Sequence, residues 1–146
     1  TSGLFLQSAG AGADLVWASA LPGQHIKIID APVSKVSITG TATWADIDIS
    51  TQTGTDTALW AMFSVRLTYT TANVAGDSGY VEFRKNGSSS TAGLVRHSVL
   101  AQVVNVANAS GGYVLVPLDG TEICEYQLQG SPGTYALDIW LVGYVN

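Results

Sequence analysis

Tyr135-Ala-Leu-Asp-Ile-Trp-Leu-Val-Gly-Tyr-Val145 reads as a terminal β-strand that is apolar on both of its faces. In an extended chain Tyr135, Leu137, Ile139 and Leu141 share one face, while Ala136, Trp140, Val142 and Tyr144 share the other, interrupted by Asp138. An outer strand of a monomeric sandwich has one wet face. Apolar character on both sides therefore predicts a second burial surface, supplied by another copy of the chain.

Working back from that strand, the chain from His25 onward is a succession of period-two or apolar runs separated by turn residues. The runs predict strands at 24–30, 33–40, 43–50, 58–71, 78–86, 92–106, 112–118, 122–129 and 134–145. Ala61, Phe63, Val65, Leu67 and Tyr69 alternate with Met62, Ser64, Arg66 and Thr68, and Ile47 and Ile49 alternate with Trp44, Asp46 and Asp48, so each run has one core face. Asn86-Gly87 supplies two residues tolerant of positive φ, the strongest short turn signal in the chain. Many short strands without helical spacing predict an all-β fold, a two-sheet β-sandwich of jelly-roll type. Residues 1–23, rich in Gly, Ala and Ser and closed by Pro22-Gly23, read as a stalk or lead-in segment, and 24–146 as the β-sandwich head.

Composition narrows the function classes. Charged residues make up 12% of the 146, about half the roughly 25% usual in soluble domains, so the surface is largely neutral and polar. With six basic against eleven acidic residues and no basic cluster, nothing could neutralise a row of phosphates, and nucleic acid is not an expected partner. No run approaches the roughly 20 apolar residues of a membrane span, and membrane insertion is not expected either. Cys124 is the single cysteine; its alternation with Tyr126 and Leu128 predicts a buried, inert thiol.

Two stretches carry a resemblance. Leu6-Gln7-Ser8-Ala9-Gly10-Ala11-Gly12-Ala13-Asp14-Leu15-Val16-Trp17 resembles a Leu-x-Ser-x-Gly-x-Gly-Ala segment, followed by Pro-x-Trp, that recurs in bacteriophage tail fibres; Leu15 stands here where Pro is usual. The remainder, especially Leu67-Thr68-Tyr69, Val116-Pro117-Leu118-Asp119 and Leu141-Val142-Gly143-Tyr144, resembles the receptor-binding heads of those fibres. They share the trimeric jelly roll of the tumour-necrosis-factor and C1q superfamily. The resemblance implies a homotrimer at a fibre tip in the virion, extracellular once released, that binds a bacterial surface glycan such as capsule or lipopolysaccharide. It also implies that Trp140, Val142 and Tyr144 lie at the trimer interface. A neutral Ser/Thr/Asn-rich surface suits hydroxyl-rich ligands, and the lack of disulfides suits assembly in a reducing cytoplasm.

The chemistry-bearing residues are sparse. His25 and His97 are far apart and lack a neighbouring His or Cys, and Asp46 with Asp48 fall short of the six to eight oxygens calcium takes, so no metal and no cofactor are expected. Asp46 with Asp48, or Glu122 with Glu125, are the candidate glycosidase pairs, though nothing in their context singles out an acid and a base, and no enzyme activity is expected. A polysaccharide depolymerase and a purely structural tip module remain the alternatives. The most regular pattern is one of tyrosines. Ser78-Gly79-Tyr80, Gly111-Gly112-Tyr113 and Pro132-Gly133-Thr134-Tyr135 each place a Tyr just after a glycine-containing loop. With the C-terminus at the stalk end, as the resemblance implies, loops 71–79, 107–112 and 130–134 fall together at the distal end. Asn73, Asp77, Tyr80, Asn108, Tyr113, Ser131 and Tyr135 are then the candidate ligand-binding residues, aromatic for stacking and polar for direction. The same tyrosines would serve equally as core caps or as packing between subunits.

Overall fold

The structure is a computed structural model that describes residues 5–8, 15–18, 25–40, 42–72, 76, 78–90, 94–100, 107–130 and 133–146. In chain order its elements are β1 (Phe5–Ser8), β2 (Leu15–Ala18), β3 (His25–Thr39), β4 (Ala42–Asp48), the one-turn helix α1 (Ser50–Thr53), β5 (Trp60–Ala72), β6 (Ser78–Lys85), β7 (Val95–Leu100), β8 (Asn108–Pro117), β9 (Ile123–Gly130) and β10 (Gly133–Val145). Every pairing is antiparallel. β3 pairs with β10, β4 with β9, β5 with β8 and β6 with β7, which is one long hairpin of eight strands paired from the outside in. Rolling that hairpin adds the β10–β5 and β6–β9 contacts. The result is β3-β10-β5-β8 facing β4-β9-β6-β7, a jelly roll made of two four-stranded sheets. The lead-in then extends the first sheet to six strands, because β1 and β2 form a hairpin whose second strand pairs with β3.

Alternation places the core where the sequence predicts it. Ala61, Phe63, Val65, Leu67 and Tyr69 of β5 are buried, as are Cys124, Tyr126 and Leu128 of β9 and Val81 and Phe83 of β6. Phe63 and Phe83 stack across the two sheets with ring centroids 6.1 Å apart. Burial pushes the Cys124 thiol up to about 12, so it carries essentially no thiolate at neutral pH. The strands predicted at 24–30 and 33–40 merge into β3. Its pairing with β10 slips at Ile139/Trp140 and at Leu141/Gly143, and those irregularities take up the Asp30-Ala31-Pro32 stretch without ending the strand.

The end of the sandwich that holds the C-terminus is closed by Asn146, which exchanges backbone hydrogen bonds with His25 (3.2 and 3.1 Å). At the same end the β8–β9 turn is built on side chains. Asp119 Oδ1 accepts the Thr121 and Ile123 N–H groups and the Thr121 hydroxyl, while Oδ2 accepts from Asn86 Nδ2 at 2.7 Å, tying the Asn86-Gly87 turn to this one. Glu122 follows with φ of 67°, a left-handed conformation that a non-glycine residue adopts only under constraint. Its buried carboxylate supplies that constraint by accepting from Thr53 Oγ1 at 2.5 Å and Ala58 N at 2.7 Å.

Burial alone would raise the pKa of Asp119, but its donors outweigh it: the Ile123 N–H, the Asn86 amide, and the Thr121 hydroxyl and N–H. Together they bring the group down to about 2 from an ordinary 3.8. A depressed carboxylate stabilises the fold above its unfolded pKa and loses that contribution as pH falls through the folded one. Asp119→Asn is therefore expected to lower stability at neutral pH by about 1 kcal/mol after solvent screening of this partly exposed turn. The difference should shrink away between about pH 4 and pH 2. Urea midpoints of the two proteins across that range provide the check, and a difference that stays constant down to pH 2 would show that the turn does not depend on the charge.

Candidate functional site

The outward face of the four-stranded sheet carries a ladder of polar and aromatic side chains. Period-two geometry puts Ser78, Tyr80, Glu82 and Arg84 of β6 on that face, beside Glu125, Gln127 and Gln129 of β9 and Arg96 and Ser98 of β7. Glu82 sits between Arg96 and Gln127. Its carboxylate is only 4% exposed and accepts from Arg96 and, at 2.5 Å, from Gln127 Nε2. Burial pushes its pKa up, but the hydrogen bonds from Arg96 and Gln127 together with the Arg96 charge outweigh that and hold it below the usual carboxylate value. Arg84 pairs with Glu125 at 2.6 Å and lies over the Trp44 ring, 3.8 Å from its centroid, as Arg96 lies 4.3 Å from the centroid of Tyr80. Tyr80 in turn donates its hydroxyl to Gln129 Oε1 at 2.7 Å.

These contacts fix two aromatic rings along one groove of about 670 Å³ that crosses β4, β9 and β6. It is lined by Ala42, Thr43, Trp44, Ser78, Tyr80, Gln127, Leu128, Gln129 and Gly130, none of which carries a charge. Trp44 reaches it because the pairing of β4 with β9 shifts between Ala42 and Ala45. Among the described residues no group of three His, Cys, Asp or Glu side chains is placed to hold a metal ion.

The three tyrosines that share a place in the sequence meet three different environments. Tyr80 lines the groove on the outer face of the four-stranded sheet. Tyr113 lies in the middle of β8 opposite Ser64, 75% exposed on the outer face of the other sheet, because residues 108–112 are strand and not loop. Tyr135 is fully buried and must be withdrawn as a ligand residue. Its ring makes an edge contact with Tyr69 (centroids 4.6 Å apart), covers the Gly79–Gly130 cross-strand pair of the opposite sheet, and donates its hydroxyl to Ser78 O at 3.0 Å. Asn108 donates Nδ2 to Leu100 O at 2.7 Å, joining the ends of β7 and β8. Asn73, Asp77 and Ser131 lie outside the described residues. The strand ends that lead into their loops do gather at one end: Ala72 pairs with Gly133, Tyr69 with Asn108, Ser78 with Leu100, and Gly79 with Gly130.

The outer face of the six-stranded sheet is where the terminal strand matters. Trp140 and Val142 point outward as expected and line a slot of about 320 Å³ with Pro32, Ser64 and Tyr113. Tyr144 does not. The register shift between Leu141 and Gly143 inserts one extra residue, which reverses the parity of the strand and turns Tyr144 into the core, where its hydroxyl donates to Asp56 Oδ2 at 3.0 Å. Toward the end that holds Asn146 the same outer face shows Ile26, Ile28, Trp60 (40% exposed) and Leu115 (46%). Asp138, the polar interruption, is matched by Arg66 at 2.7 Å and by Ser37 at 2.8 Å. Sequence reasoning missed Trp44, Gln127 and Gln129 as a set. The available signal was two amides at a spacing of two on an outward face, beside a strand whose single Trp points the same way.

No family model matches the chain, and no curated protein matches it. Solved structures do match. One of them, a structure of infectious bursal disease virus, Gt strain, aligns over 97% of this chain with 10% identity and a TM-score of 0.30. The chain covers 42% of that protein's length.

Proposed function

We propose that this chain is the homotrimeric receptor-binding head of a bacteriophage tail fibre, which adsorbs the virion to its host by binding a bacterial surface polysaccharide without cleaving it. The observation that carries the binding part is the uncharged groove, with Trp44 and Tyr80 held in place along it. Aromatic rings offer apolar faces to the C–H surface of a sugar, and fixed amides and hydroxyls read its hydroxyl groups. Support for a binder over an enzyme comes from the candidate carboxylates. Glu122 is engaged with Thr53 and Ala58, Glu125 with Arg84, and Asp48 with the Ser50 N–H. A general acid or base must be within reach of a substrate proton, and in each candidate pair at least one carboxylate is held by other groups of the protein.

Trp44→Ala and Tyr80→Ala should leave the fold intact, because both side chains point away from the core, while weakening adsorption to host cells. Each lost ring is worth about 1–2 kcal/mol at one site, and three linked sites on a densely decorated surface multiply the deficit. Adsorption is read against a capsule- or lipopolysaccharide-deficient strain, with thermal melting as the control for folding. Variants that adsorb like the parent protein would reject the groove as the binding site.

A further inference from the structure

We infer that the groove on the four-stranded sheet selects N-acetylated hexosamines over the corresponding plain hexoses, an inference that rests on the glycan-binding reading above. The reason lies in how two glutamines are oriented. Glu82 is ionised and accept-only, so Gln127 must turn its amide nitrogen to it, and the bond from Nε2 is 2.5 Å. Gln127 then presents Oε1 as its acceptor, with one Nε2–H left over. On the next outward position of the same strand, Gln129 uses Oε1 to accept the Tyr80 hydroxyl at 2.7 Å and presents both Nε2–H groups as donors, with one Oε1 lone pair left over.

An acceptor and a donor thus stand two residues apart on β9, on backbone positions about 7 Å from each other along the strand. An acetamido group carries the complementary pair, an N–H on one side and a C=O on the other, and with a hydrogen bond at each end it spans about that distance. Ala42 and the Trp44 ring, in the same lining, offer an apolar seat for its methyl group. The lining itself contains no arginine or lysine; Arg84 and Arg96 stand beside it, paired with Glu125 and Glu82.

The test uses the whole chain and beads bearing N-acetylglucosamine, N-acetylgalactosamine or N-acetylmannosamine, each beside beads bearing the parent hexose. Retention on at least one acetylated bead, roughly tenfold weaker on its hexose partner, is the expected result. Gln129→Met, exposed and away from the core, should remove that preference without shifting the melting temperature. Equal retention on both members of every pair, or retention on none by a protein that still adsorbs to host cells, overturns the acetamido assignment and leaves adsorption standing. Failure of the adsorption reading itself looks different, since then the chain would bind neither the cells nor the beads.

Discussion

Tyr135→Ala is expected to lower the unfolding free energy by about 3–5 kcal/mol, the cost of removing a buried aromatic and leaving a cavity that the sheets cannot close. The ring is a bridge between sheets. It starts on β10, meets Tyr69 edge-on within its own sheet, and lies over the paired glycines Gly79 and Gly130 of the opposite one. A Cβ built on either glycine would fall inside the ring's van der Waals envelope, so ring and glycines are one packing unit. Tyr135→Phe keeps the ring and drops only the bond to Ser78 O, at a cost of about 1 kcal/mol. Urea unfolding of the three proteins separates the two contributions. If Tyr135→Ala unfolded like the parent and instead lost only adsorption, the residue would be a ligand contact after all.

Val142→Asp is expected to convert the proposed homotrimer to monomers. Light scattering on the parent chain should return three times the 15.2 kDa chain mass. Val142 lines the outer slot with Pro32, Tyr113 and Trp140, next to the exposed Ile28 and Leu115. An Asp there would be driven into an interface without a partner, costing several kcal/mol per subunit. Among the described residues the cation nearby on that face is Arg66, which is already paired with Asp138 and lies 5.5 Å from the centroid of the Trp140 ring. A parent chain that scatters as a monomer at micromolar concentration rejects the trimer. A variant that stays trimeric places the interface elsewhere.

The core faces of β5, β9 and the first part of β10 were legible in the sequence, because alternation at period two is a local property and each of those strands keeps its parity. The jelly-roll class followed from the count of short strands and the turns between them. The Asn86-Gly87 turn was legible for the same reason, since positive φ is written into the residue type, and φ of Gly87 is 71°. Tyr144 was misplaced because parity holds only until a bulge occurs. Gly143 was the available sign, a glycine in a strand interior, where a Cβ would come within 2.6 Å of Lys27 O.

Local sequence therefore determined which residues face inward along an unbroken strand and where the chain turns. It could not decide between the three tyrosines, which share a position after a glycine-bearing loop and differ only in what the rolled hairpin sets against them: Gln129 and Arg96 for Tyr80, the outer slot for Tyr113, and a pair of glycines from the other sheet for Tyr135. The groove likewise exists only after rolling, since Trp44, Tyr80 and Gln129 come from strands far apart in the chain that antiparallel register makes neighbours. A side chain's direction is a property of the strand it stands on, whereas its surroundings belong to the strands that the fold lays beside it.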